Sequence, residues 1–211
     1  GPHHIGIEIM VDNRKETERA ELHKGIWKIA NDLRGSVDGW DFKQYVLGML
    51  FYRYISENLA NYIEQGEKDA GNTDFKYSEL SDADAEQART DLVKTRGFFI
   101  LPSELFENIR IKAPSDENLN ETLEKVFRNI ESSAQGTASE NDFKGLFDDL
   151  DLNSNKLGGT VAKRNEMLIK LMNGIGDMNL GNYQDNTIDA FGDAYEFLMG
   201  MYASNAGKSG G

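Results

Sequence analysis

The chain contains no cysteine, three prolines and no long apolar run. Without cysteine, disulfide bonds and thiolate metal sites are excluded, and the composition is typical of a protein from a reducing compartment. No stretch approaches the ~20 consecutive apolar residues that a membrane-spanning helix requires. The sequence therefore predicts a cytoplasmic protein with no membrane partner.

Positive charge is also scarce, with 23 Lys and Arg against 36 Asp and Glu and a formal net charge of -13. Binding along nucleic acid depends on Lys and Arg that replace counterions at the phosphates, so any DNA contact must be local or shared with other subunits. The acid is concentrated between Glu64 and Asp91, where nine acidic residues outnumber three basic ones. This acidic stretch predicts a solvated loop and helix face.

The two ends of the chain differ in composition from its middle. Gly1, Pro2, His3 and His4 are typical of a cleaved affinity tag, and we predict that residues 1–16 are this remnant and a disordered N-terminus. Residues 206–211 are rich in glycine, which predicts a hinge toward a further domain. One helical domain is predicted between them, over residues 17–205.

Apolar residues recur three and four positions apart through most of the middle, which is the period of amphipathic helices. Helices are predicted for Glu18–Leu33, Trp40–Tyr62, Ser81–Lys94, Ser103–Ile109, Asp116–Ile130, Asp142–Leu150, Gly159–Ile175 and Asn186–Tyr202. Phe98–Leu101 has a strand-like composition, and Ser132–Asn141 is polar enough for a linker. The predicted fold is mainly α, a multi-helix bundle with at most a small β-hairpin at Phe98–Leu101.

Motifs that suggest nucleotide or metal binding fail in their details. A P-loop at residues 206–209 lacks the required first glycine, because Tyr202 stands there. A calcium loop starting at Asp149 lacks its turn glycine at Ser154 and its carboxylate at Thr160. His23 is the only histidine outside the predicted tag, and it has no nucleophile beside it in the sequence. No metal ligand or catalytic residue is predicted in this chain.

The clearest basic cluster is Lys163, Arg164 and Lys170, on the predicted outer face of the helix at Gly159–Ile175, with Lys156 just upstream. Two interpretations are open. The cluster is either an ordinary solvated helix face, or a contact for DNA phosphate or an acidic partner.

Three blocks of sequence carry a family resemblance. They read GWDFKQYVLGMLFYRYISENL from Gly39 to Leu59, LFDDLDLNSNKLG from Leu146 to Gly158, and DAFGDAYEFLMGMYASNAGKSGG from Asp189 to Gly211. In this order they closely resemble the modification subunit of type I restriction-modification enzymes. The resemblance covers about Glu18 to Gly211 and corresponds to the helical N-terminal domain of that subunit.

The resemblance implies a methyltransferase domain after this one. That domain uses S-adenosylmethionine to methylate the N6 of a target adenine, which is first flipped out of double-stranded DNA. It also implies assembly with a specificity subunit, a second modification subunit and a restriction subunit. An alternative is a stand-alone helical adaptor that binds other proteins.

The catalytic motifs of the family are not found in this chain. The adenine pocket requires a Pro-Pro pair, and the prolines here are Pro2, Pro102 and Pro114. Gly174-Ile-Gly176 is the nearest pair of glycines to a cofactor loop, but it follows a predicted helix rather than a strand. We therefore predict that this chain alone binds no S-adenosylmethionine and is inactive.

Overall fold

The computed structural model describes residues 24, 25, 28, 29, 39–148 and 150–178. Its described part contains seven α-helices and no strand, which confirms the prediction of a mainly α multi-helix bundle. The helices are α1 (Gly39–Asp69), α2 (Asp82–Glu86), α3 (Arg89–Arg96), α4 (Phe106–Lys112), α5 (Leu119–Ser133), α6 (Glu140–Phe147) and α7 (Val161–Gly176). Short 3-10 turns occupy Tyr77–Glu79, Pro102–Glu104 and Ala113–Ser115.

Helix α1 carries apolar residues on nearly every side and is the core helix, and it extends seven residues past the predicted end at Tyr62. Between Tyr45 and Leu59 most of its side chains are buried. Its aromatic rings pack against other helices, with Tyr52 edge-on to Phe106 of α4 at 5.4 Å and to Phe127 of α5 at 5.3 Å. Such aromatic pairs contribute about 0.5–1.5 kcal/mol beyond the apolar area they bury.

Helix α7 packs against α1, α4 and α5. The helical spacing of the sequence places Val161, Leu168, Leu171, Met172 and Ile175 on the inward face, and the last four of them are fully buried. The prediction is wrong for Val161, whose side chain is 47% exposed. Val161 is the first residue of the helix, so its side chain projects beyond the end of the core.

The strand-like run Phe98–Leu101 does not form a strand. Side chains rather than a second strand bind its backbone: the Ser133 hydroxyl accepts from the Phe99 N–H at 2.9 Å, and the Tyr77 hydroxyl donates to the Ile100 carbonyl at 2.7 Å. The side chains of Phe98, Phe99 and Ile100 are buried. The short apolar run therefore indicates a buried segment here, but it does not indicate a β-strand.

The predicted linker Ser132–Asn141 is a packed turn between α5 and α6. Ala134 is buried, and the Thr137 hydroxyl donates to the Gly97 carbonyl at 2.9 Å. Gly97 ends α3 with a φ of 88°, and a Cβ atom there would lie 2.6 Å from the Ser139 hydroxyl oxygen. The polar composition did not reveal this packing, because Thr137 and Ser139 adjoin the turn at Gly97 while Ser132 and Gln135 are exposed.

Ser81 is the N-cap of α2, at the predicted start of a helix, with its hydroxyl accepting from the Asp84 N–H at 3.1 Å. The helix breaks between Glu86 and Arg89 instead of running to Lys94 unbroken. Ser103 does not cap α4. Its N–H and hydroxyl both donate to the Asp82 carboxylate, so α4 begins later, at Phe106.

Two predicted helices fall partly or wholly outside the described residues. Of the one at Glu18–Leu33, Lys24, Gly25, Lys28 and Ile29 are described and helical, and Ile29 is buried beside Gly174. The last predicted helix, Asn186–Tyr202, lies outside the described residues, as do the tag remnant at residues 1–16 and the glycine-rich residues 206–211.

Candidate nucleic-acid interface

Residues 150–160 connect α6 to α7 without regular structure, and we call them the α6–α7 loop. Three leucines at positions 150, 152 and 157 are buried and anchor it to the core. The residues between them are mostly exposed. The loop therefore alternates between core anchors and solvent-facing positions.

Hydrogen bonds from three helices fix the shape of this loop. The Tyr45 hydroxyl of α1 donates to the Asp151 carbonyl at 2.5 Å, and the Asn120 amide of α5 donates to Asn153 Oδ1 at 2.6 Å. From α7, Arg164 donates through Nε to the Gly158 carbonyl at 2.9 Å and through Nη2 to Asn155 Oδ1 at 2.6 Å. The loop is held along its whole length.

Two buried asparagines help to hold the α6–α7 loop in place. Asn120 is 4% exposed and Asn165 is 6% exposed. Asn165 Oδ1 accepts from the Asn120 N–H at 3.1 Å, while its Nδ2 donates to the Glu117 carbonyl at 2.8 Å. Because buried polar groups cost about 1–3 kcal/mol each when left unpaired, this pairing fixes α5 relative to α7.

The start of α7 adjoins the loop closely. Thr160 caps the helix, with its hydroxyl accepting from the Lys163 N–H at 3.2 Å. A Cβ atom at Gly158 would lie 2.8 Å from Lys163 Cβ and 2.9 Å from the Arg164 nitrogen. Glycine is required at position 158 because the loop backbone passes against the first turn of the helix.

The structure separates the three predicted contact residues. Lys163 is exposed, and Lys170 lies seven residues further on the same helix face, 56% exposed, with its Nζ 3.9 Å from Glu166 Oε1. Arg164 is only partly exposed, and its guanidinium binds the α6–α7 loop. Contact of these residues with DNA or a partner stays a prediction.

Charge is distributed unevenly between this region and the acidic stretch. Residues 150–178 contain four basic and three acidic residues, whereas residues 64–91 have a net charge of -6. Glu64 lies nineteen residues beyond Tyr45 on α1, about 28 Å along the helix axis. Burial raises the pKa of Glu64, whereas a hydrogen bond from Arg89 lowers the pKa of Glu86.

Two arginines bind the C-terminal end of α7, a role that the sequence analysis missed. Arg53 Nη1 donates to the Ile175 and Met178 carbonyls, at 2.6 Å each. The Arg110 guanidinium lies over Gly176, and its Nη1 is 3.6 Å from Asp177 Oδ1. Cations at a helix C-terminus satisfy its free carbonyls and oppose its dipole. The signal available in the sequence was that Arg53 and Glu57 are the two charged residues inside the apolar run of α1 between Tyr45 and Leu59.

The other candidate motifs have structural roles or lie outside the described residues. Gly174 and Gly176 are inside α7, packed against Ile29 and Arg110, so they do not form a cofactor loop. Within residues 39–148 and 150–178, no cluster of three potential metal ligands occurs. No helix in the same ranges is long and apolar enough to cross a membrane. Asp149, His23 and the failed P-loop are not described.

A model of the family described as the HsdM N-terminal domain matches residues 22–175 of this chain. The chain belongs to the HsdM N-terminal domain family. This confirms the resemblance drawn from the three sequence blocks. The matched range lies inside the predicted domain of residues 17–205, whose exact boundaries stay a prediction.

Individual relatives agree with the HsdM assignment. The chain is 46% identical over 209 residues to the type I restriction enzyme MpnII methylase subunit of Mycoplasma pneumoniae, covering 95% of this chain and 38% of that protein. It is 22% identical over 196 residues to the MjaIX methylase subunit of Methanocaldococcus jannaschii, covering 90% of this chain and 32% of that one.

A solved structure is also similar. The type I restriction-modification methyltransferase subunit from Streptococcus thermophilus superposes with a TM-score of 0.66 at 28% identity, over 88% of this chain and 39% of that one. The chain thus spans about one third to two fifths of the length of these relatives. Because these relatives are methylase subunits, the comparisons favour the HsdM assignment over a stand-alone adaptor.

Proposed function

We propose that this chain is the assembly and DNA-clamp domain of a type I restriction-modification methylase subunit. The single observation that carries the proposal is the 46% identity to the MpnII methylase subunit across 95% of the chain. Identity at this level over nearly the whole chain supports a shared role as well as a shared fold. The domain would help to enclose DNA while the rest of the subunit methylates it.

The parent protein would transfer a methyl group from S-adenosylmethionine to the N6 of adenine in a specific DNA sequence. The described residues do not fit this cofactor, since the nearest glycine pair lies inside α7 and there is no strand before it. We therefore assign cofactor binding and catalysis to the parent protein outside residues 39–178, and expect this chain alone to be inactive.

The proposed partners are double-stranded DNA, a specificity subunit that reads the DNA sequence, a second modification subunit and a restriction subunit. The net charge of -13 supports a shared DNA contact, because an isolated domain with this charge repels the duplex. We place the assembly in the cytoplasm, consistent with its proposed DNA substrate and the absence of cysteine.

Two measurements test this function. The full-length protein, purified with its specificity subunit, should transfer labelled methyl groups from S-adenosylmethionine to adenine in duplex DNA, and removal of residues 1–178 should abolish DNA binding by the assembly. Isothermal titration should detect no S-adenosylmethionine binding to the 211-residue chain. Absence of methylation by the full-length assembly, or micromolar cofactor binding by this chain, would contradict the proposal.

A further inference from the structure

The α6–α7 loop and the first turn of α7 present one continuous exposed surface, which we call the loop face. Its exposed residues are Asp151, Asn153, Asn155, Lys156, Gly159, Thr160, Val161, Ala162 and Lys163. Most of their polar groups are amides, hydroxyls and ammonium groups, with one carboxylate, Asp151, and two apolar residues, Val161 and Ala162. Side chains of these polar types supply most of the contacts that proteins make to DNA phosphates and sugars.

The loop face is held in one shape by Arg164. Its guanidinium donates to a backbone carbonyl and a neutral amide, at Gly158 and Asn155, on either side of Lys156. Both acceptors are uncharged, so the positive charge of Arg164 is not cancelled by the groups it binds. The arginine therefore fixes the loop and also contributes positive potential beneath it.

Three of the seven charged residues within 150–178 are acidic. Glu166 lies near Lys170, and Asp177 lies near Arg110 at the opposite end of α7. Asp151 is the remaining acidic residue in the described range 150–178. With Lys156, Lys163 and Arg164 against Asp151, the loop face carries more positive than negative charge, in a chain whose net charge is -13.

We propose that the loop face contacts the phosphate backbone of double-stranded DNA, with Lys163 as a phosphate-binding residue and Arg164 as a positioning residue. The inference rests on the proposed function and specifies the surface through which the domain meets DNA. A protein-docking surface is less consistent with these side chains, because the centres of protein interfaces are rich in aromatic residues. Val161 is the single large apolar side chain on the loop face.

The role of Lys163 is tested in the full-length assembly by measuring fluorescence anisotropy with labelled duplexes over a range of KCl concentrations. Lys163→Gln should lower the slope of log K against log salt by about 1, equally for cognate and unrelated sequences. Lys68→Gln removes the same charge from the acidic stretch and serves as the matched control, with no change in slope expected. An unchanged slope for Lys163→Gln would overturn the phosphate contact.

The role of Arg164 is tested by comparing Arg164→Lys with Arg164→Gln. Lysine keeps the charge but cannot reproduce the planar fork that binds Gly158 and Asn155 together. If Arg164 positions the loop, both variants weaken DNA binding, and trypsin cleaves after Lys156 faster than in the wild type. Wild-type affinity and cleavage in Arg164→Lys would show that only charge matters there, which would overturn the positioning role.

The remaining outcomes separate this inference from the proposed function. A wild-type assembly that neither binds nor methylates DNA defeats the proposed function itself. A wild-type assembly that methylates DNA, while Lys163→Gln retains the wild-type salt slope, overturns the loop-face proposal alone. If Lys163→Gln instead dissociates the subunits in size-exclusion chromatography without changing the DNA affinity of the intact complex, the face binds protein, and the DNA assignment is wrong.

Discussion

The two ends of α1 are parts of one helix with opposite surroundings. Near Tyr45 the helix is buried and donates a hydrogen bond to the α6–α7 loop. Beyond Tyr62 it carries the first residues of the acidic stretch, mostly exposed, and ends at Asp69. The first end supports a fixed surface with modest charge, whereas the second is a solvated surface of strong negative charge. This difference suggests which end of the domain can face DNA.

The largest expected difference between the two ends of α1 is in the free energy of unfolding, and it comes from a buried asparagine beneath the α6–α7 loop. Asn165→Ala should lower the free energy of unfolding by about 2–4 kcal/mol, because the Asn120 N–H and the Glu117 carbonyl lose their partner. Urea unfolding of the 211-residue chain, followed by circular dichroism, measures this change.

The matched variant is Asn72→Ala, just beyond the other end of α1, which carries the first residues of the acidic stretch and which we call the acidic end. Its amide donates to Glu67 at an exposed position, so its loss should cost at most about 0.5 kcal/mol. Equal effects of the two variants would show that the buried network does not distinguish the ends.

Two glycines of α1 extend the comparison with a single type of substitution. A Cβ atom at Gly48 would lie 2.4 Å from Leu150 Cδ1, whereas nothing lies within 4 Å of one at Gly66. Gly48→Ala should therefore destabilise the chain by about 1–3 kcal/mol through overpacking. Gly66→Ala should stabilise it by up to about 1 kcal/mol, because alanine favours helix.

The same urea titrations measure both glycine variants. A stabilising Gly48→Ala would mean that the anchor at Leu150 is not tightly packed. The accompanying inference, that the core fixes the α6–α7 loop, would then fail.

The fold was predictable from the sequence in part. Helix α5 followed directly from its spacing, since Leu119, Leu123, Val126 and Ile130 are all buried as their pattern required. The strand-like run at Phe98 failed because its backbone partners are side chains 23 to 34 residues away in sequence. Local patterns contain no information about such distant donors and acceptors.

The candidate site was predicted less completely than the fold. Sequence periodicity placed Lys163 and Lys170 on an outer face, where they are found. It also placed Arg164 on this outer face, but the Arg164 guanidinium binds the α6–α7 loop instead. A helical period could not predict this contact, because it does not describe the path of an irregular loop. The supporting asparagines were missed since asparagine in a helix is more often exposed than buried.

The smallest expected effect is a pH dependence at the acidic end. Burial raises the pKa of Glu64 in the folded state, so folding takes up a proton there and stability rises as the pH falls through that pKa. Glu64→Gln should raise the melting temperature near pH 7 and reduce the gain seen in the wild type on mild acidification.

Differential scanning fluorimetry at several pH values measures this effect, and Asp74→Asn controls for the loss of one negative charge from the same stretch. If the melting temperature of Glu64→Gln depends on pH as it does in the wild type, burial of this carboxylate does not contribute to the pH dependence of stability at the acidic end.

The most direct test of the account is hydrogen exchange of the full-length assembly with and without its cognate duplex. We predict that DNA slows amide exchange in residues 151–163 and leaves residues 64–91 unchanged, because the loop face meets the phosphates whereas the net charge of -6 in residues 64–91 repels them. Protection of residues 64–91, or no protection of residues 151–163, would contradict the assignment of the two ends.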